Sequence, residues 1–101
     1  MQQADNINRI AEPVPGGRAK TDLFNGEHFN IVAISLDTGA EIPPHEEPYE
    51  VFFYVVSGKG VFAVGEEKWE AEAGSWVFSP RGNRGIRCIE RMTILGVQEP
   101  H

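Results

Sequence analysis

Cysteine, basic charge and long apolar runs are all scarce in this sequence, and each scarcity narrows what the chain can be. The one cysteine, Cys88, cannot form an internal disulfide, and a lone thiol suits a reducing compartment. Lysine and arginine number 9 against 15 acidic residues, a formal charge of −6. The field of such a chain repels polyanions, so neither nucleic acid nor anionic membrane is expected as a partner. No apolar run approaches the length of a membrane span. The first residues, Met1-Gln2-Gln3-Ala4-Asp5-Asn6, lack the basic start and apolar stretch of a signal peptide, so a cytoplasmic protein is expected. Also missing are a helical period sustained over ten residues, an internal repeat, and a linker that would divide the domain.

What is there is a single domain's worth of short apolar runs punctuated by turns. The 101 residues are 41% hydrophobic, which permits one modest core and leaves room for help from a partner subunit. Residues 1–20 are polar, then rich in proline and glycine, and read as an arm that is flexible or crosses to a partner. Residues 21–101 read as one domain. Phe29 to Leu36 is a strand, and Tyr49 to Val56 is the strongest strand, dense in aromatic and β-branched residues. Ser57-Gly58-Lys59-Gly60 carries a hairpin signal, with Val61 to Val64 returning from it. Lys68 to Glu72 alternates charged and apolar residues. Trp76 to Phe78, Ile86 to Ile89 and Met92 to Val97 complete the set. The pattern alone predicts an all-β, antiparallel sandwich or barrel.

Two stretches narrow this further. Gly39-Ala40-Glu41-Ile42-Pro43-Pro44-His45 sets a histidine six residues after a glycine and leads into a strand. Gly74-Ser75-Trp76-Val77-Phe78-Ser79-Pro80-Arg81-Gly82 spaces a glycine, a proline and a second glycine. In this order, with a short spacer, they resemble the two motifs of the cupin superfamily, over roughly Leu23 to Val97. The resemblance implies a small jelly-roll β-barrel with a ligand site inside one end. In metal-binding cupins the first motif supplies two histidines and a glutamate, and the second motif a third histidine. Here His45 matches the first histidine, the second falls on Glu47, the glutamate falls on Val51, and the third histidine falls on Gly85. Glu50 lies one residue from the glutamate position and faces inward only if the strand is bulged there.

The degenerate pattern leaves several readings of the interior. His45, Glu47 and Glu50 could hold a divalent metal such as iron, manganese, nickel or zinc. Alternatively, His45 is hydrogen-bonded and partly buried while both glutamates are solvated. Strand alternation from Gly85, with the phase the family implies, points Arg87 inward. There it pairs with Glu47 or Glu50, or awaits the carboxylate or phosphate of a ligand. Loss of the histidine at Gly85 is expected to open room for that ligand. Arg81, Arg84, Arg87 and Arg91 form a basic cluster that either draws anions to the barrel mouth or is a solvated face. Cys88 falls opposite Arg87, which argues against a catalytic thiol, and His28 and His101 are expected to be exposed. Phe53 and Trp76 are candidates for the pocket lining.

The strand around Phe52, Tyr54 and Val56 is apolar on both faces, which predicts a homodimer that covers the outward one. The preferred function is a binding module for a small, anionic metabolite, with His45, Glu47, Arg87, Phe53 and Trp76 at the ligand and no metal cofactor. The alternatives are a metal-dependent enzyme of the dioxygenase or isomerase type using His45, Glu47 and Glu50, and metal-free acid–base catalysis by His45.

Overall fold

The alternating residues Val51, Phe53 and Val55 show how the architecture is set: each is buried, and the residues between them face outward. In a computed structural model, which describes residues 4–9 and 12–101, this alternation organises an antiparallel jelly-roll. Its strands are β1 (Arg18–Asn25), β2 (Asn30–Leu36), β3 (Glu41–Glu47), β4 (Val51–Val64), β5 (Glu67–Glu72), β6 (Trp76–Ser79) and β7 (Gly82–Gln98). A short 3-10 turn, Ile7–Arg9, precedes them. The arm expected over residues 1–20 falls partly outside the described residues, and its last three positions belong to β1.

Two long strands, β4 and β7, pair along most of their length and divide the domain into two layers. In the first layer, Val51 to Tyr54 of β4 pairs with β6, and Met92 to Gln98 of β7 pairs with β2, which pairs with β1. In the second, Lys59 to Val64 of β4 pairs with β5, and Gly82 to Arg87 of β7 pairs with β3. Side chains from the two inner faces meet between the layers, among them Leu36, Phe62, Met92 and Ile94. Burying each such side chain contributes about 1.5–3 kcal/mol.

The hairpin expected at Ser57-Gly58-Lys59-Gly60 does not form. The chain continues through it as one strand of 14 residues. The glycines mark a close crossing instead: the β4–β7 register shifts between Val55 and Gly60, and Gly58, at φ 83°, lies so near the Arg91 carbonyl that no Cβ would fit. The glycines therefore permit the bend that carries β4 from one layer to the other. The separate strands expected at Ile86 to Ile89 and Met92 to Val97 are likewise one strand, β7. Pro43 and Pro44 sit in β3, which among the described residues pairs with β7 alone, at a register shift between Ile42 and His45. Such a site tolerates residues that lack an N–H donor.

Candidate functional site

Between the layers lies a cavity of about 380 Å³, whose wall includes Ile34, Phe53, Phe62 and Ile86 as its apolar part. Its polar part comes from the end of β3, the turn after it and the start of β7. His45, Glu47, Tyr49 and Arg84 all line it, and Arg18 and Lys20 join them from β1. His45 and Arg84 are direct cross-strand partners. The strand pairing that defines the layer thus sets a guanidinium beside an imidazole.

Among the described residues Arg84 is the charged side chain that the fold buries, at 6% exposure. One amino group, Nη1, donates to the Tyr49 carbonyl at 2.8 Å, the Ser79 hydroxyl at 3.3 Å and the Pro80 carbonyl at 3.4 Å. The guanidinium also lies over the Tyr49 ring, 4.7 Å from its centre, a contact that favours a cation. No carboxylate comes within salt-bridge distance of it among the described residues. Nε and the second amino group make no close hydrogen bond there, although the guanidinium also interacts with the Tyr49 hydroxyl, and no buried side-chain polar atom is left unpartnered. Those donors therefore border open space, on a residue that lines the cavity.

Glu47 supplies the opposite charge. Burial opposes its ionisation, but the Tyr49 hydroxyl, the His45 ring and the Arg84 charge outweigh that and hold its carboxyl below the usual glutamate range. Burial of the ring and the Glu47 anion push the Tyr49 phenol up. His45 Nδ1 faces the Pro43 carbonyl at 2.8 Å and its Nε2 contacts Glu47 Oε1. Since a carbonyl only accepts, Nδ1 carries a proton. On its outer face the Tyr49 ring stacks with His101, centres 3.8 Å apart.

Of the sequence-predicted site residues, His45, Glu47 and Phe53 line this cavity, and two do not. Arg87 is exposed on the outer surface. The phase taken from Gly85 is off by one: Arg84, Ile86 and Cys88 take the inward positions, and Cys88 is buried. Trp76 points outward, 65% exposed, because its cross-strand partner Tyr54 shares the outer face of β4. Gly85 opens no room either. A Cβ there would lie 2.7 Å from the Ile42 carbonyl oxygen and the Pro44 nitrogen, so the glycine is where two backbones approach.

The three-ligand metal alternative meets a geometric obstacle. Glu50 is exposed before the start of β4, its amide donating to Glu99 at 2.7 Å, and the pairing from Val51 to Tyr54 is unbulged. Among the described residues no three His, Cys, Asp or Glu side chains gather. His45 and Glu47 contact each other, and the cation at Arg84 stands across from them. This donor set does not fit a metal ion. Sequence reasoning named Arg84 only within the basic cluster at the barrel mouth, and it missed Tyr49 as a site residue. The available signal for Arg84 was that apolar Ile86 and Cys88 share its parity.

Sheets of this kind, with a cavity between them, define a small jelly-roll barrel. Residues 32–84 match the cupin domain family, and the chain belongs to that family. Solved structures agree along nearly its whole length. An RmlC-like cupin from Desulfovibrio desulfuricans is 22% identical, with 99% of this chain and 98% of that one covered and a TM-score of 0.87. TT1209 from Thermus thermophilus is 25% identical, covering 98% of each chain, with a TM-score of 0.87. KdgF from a Halomonas species is 20% identical, with 96% and 91% covered and a TM-score of 0.83. No functionally curated protein matches the chain. Among the described residues no helix is long and apolar enough to cross a membrane.

Proposed function

We propose that this cupin binds a small organic anion in its barrel cavity, through Arg84 and without a metal ion. The observation that carries the reading is the buried guanidinium with no carboxylate partner among the described residues. Glu47 feels that charge without forming a salt bridge to it, and a bound carboxylate or phosphate would give the guanidinium a direct partner in the bidentate geometry that arginine favours. Arg18 and Lys20 add positive charge to the same cavity, on a chain whose net charge is −6. The role first given to Arg87 thus passes to Arg84, with His45, Glu47 and Phe53 retained. The test is thermal denaturation of wild type and Arg84→Lys across a panel of organic acids and phosphate esters. Stabilisation of wild type that is weakened at least several-fold in Arg84→Lys supports the reading. A wild type indifferent to every anion overturns it.

We also propose that the outer face of the first layer binds a second copy of this chain. Cross-strand register sets Phe78, Phe52, Val97, Ile31 and Phe24 in one row and Trp76, Tyr54, Leu95, Ala33 and Thr21 in the next. None of these is charged, although the chain is 24% charged. Phe52 and Tyr54 are each 41% exposed and Phe78 46%. With Trp76, the four aromatics present roughly 400 Å² to solvent. That is half of what one partner gives to a standard interface, about 800 Å², before the flanking aliphatic residues are counted. A charge-free face is also where two chains of like net charge approach with least repulsion.

A further inference from the structure

The cavity sets a cationic donor and an anionic acceptor side by side, and a ligand that is only an acid does not match both. Arg84 offers donors and positive charge. Glu47, on the same wall, offers the reverse: an ionised carboxylate has acceptor sites alone, about four of them. His45 contacts one of its oxygens, and the neighbouring Tyr49 hydroxyl further stabilises the anion. The Glu47 side chain is 20% exposed, and it borders the same cavity as Arg84. Arg84 lies across from His45 in the strand pairing, and its charge is felt at Glu47. A plain carboxylate drawn to Arg84 therefore brings no donor to Glu47, of whose two oxygens His45 contacts one.

Resting on the proposed anion-binding role, we infer that the ligand class is the small hydroxy acids. The carboxylate sits on Arg84 and a nearby hydroxyl donates to Glu47. A hydroxyl is favoured over an ammonium because the latter would bring a second positive charge beside Arg84 and lose its own hydration on entry. The cavity, about 380 Å³, is at the small end for ligand sites and suits a compact acid. Phe53, Phe62 and Ile86 form an apolar part of the wall that suits the ligand's carbon skeleton, while Arg18 and Lys20 add cations to the same cavity.

The test is isothermal titration of the full chain with matched pairs that differ by one hydroxyl: propionate with lactate, succinate with malate, butyrate with 3-hydroxybutyrate. A hydrogen bond to a charged acceptor predicts that the hydroxy member of at least one pair binds about ten- to a hundred-fold tighter. In Glu47→Gln that preference falls below about threefold, while the parent acid binds no more weakly than to wild type. Equal affinities within every pair, with binding that still depends on Arg84, would overturn the hydroxy-acid inference and leave anion binding standing. No binding of any acid overturns both. The wild-type ranking decides the matter even if Glu47→Gln fails to fold, and a preference that survives intact in a folded Glu47→Gln also overturns it.

Discussion

Replacing Arg84 and Arg87 separately by methionine tests the register of β7 without any ligand. Arg84→Met removes a short charge-assisted hydrogen bond to the Tyr49 carbonyl, two longer ones from the same amino group, and the contact with the Tyr49 ring. One good charged bond is worth about 1.5–3 kcal/mol, and a partly desolvated cation–π contact about 0.5–2 kcal/mol. Against this stands the desolvation of the guanidinium, which the substitution relieves and which is several kcal/mol for a buried ion. A net loss of about 1–2 kcal/mol is the expected balance, because the Tyr49 carbonyl is left unpaired beneath an apolar side chain. In a domain of this size that lowers Tm by about 4–16 °C. Arg87 is exposed and makes no ion pair among the described residues, so Arg87→Met should stay within about 0.5 kcal/mol of wild type. Calorimetric melting of the two variants reads this directly. An Arg87→Met protein that melts well below Arg84→Met would place Arg87 inside and refute the assignment.

Three further outcomes follow from particular contacts. Gly85→Ala should cost about 1–3 kcal/mol, the range for forcing a methyl against fixed neighbours, and Gly85→His should destabilise without creating tight zinc or nickel binding. Chemical denaturation and metal titration check the pair. Phe52→Asp or Trp76→Asp should give a folded monomer where wild type sediments as a dimer at micromolar concentration. A wild-type monomer, or a folded variant still dimeric, counts against the proposed face. Finally, the Glu47 carboxyl titrates below its unfolded value of 4.5, so its contribution to stability is present above that pH. It is lost as pH falls through the lower, folded value. Glu47→Gln should therefore flatten the acid limb of the stability–pH curve, and an unchanged limb in the variant would show that Glu47 carries none of it.

The sequence and structure part company at two places. Alternation inside a strand is easy to read: Val51, Phe53 and Val55 announce their face, and turn glycines such as Gly39, Gly65 and Gly74 adopt the positive φ their positions require. The phase of alternation across a bulge is not locally encoded. Gly58 and Gly60 look like a hairpin because glycine serves a turn and a close strand crossing equally well. Only the approach of Arg91 and Met92 in space separates the two. A different difficulty displaced the cavity arginine by three residues, since β7 pairs with β4 in regular register from Arg84 to Cys88. Counting from a family position set Gly85 inward, whereas the apolar pair Ile86 and Cys88 set the opposite parity. His45 and Glu47 were legible because the motif spacing names them. Tyr49 was not, since it lies in the turn between β3 and β4 and reads as the start of a strand.

Side-chain NMR observes the Arg84 guanidinium itself, the group assigned here to receive the anion. Arginine Nε–H resonances, identified through Arg84→Lys and Arg87→Lys, would be followed while lactate, malate and 3-hydroxybutyrate are titrated at fixed pH and ionic strength. The Arg84 Nε–H signal should shift saturably with at least one of these acids, while the Arg87 signal stays at its starting position. An Arg84 signal unmoved by every acid, or a saturable shift at Arg87 in its place, would contradict anion binding at Arg84.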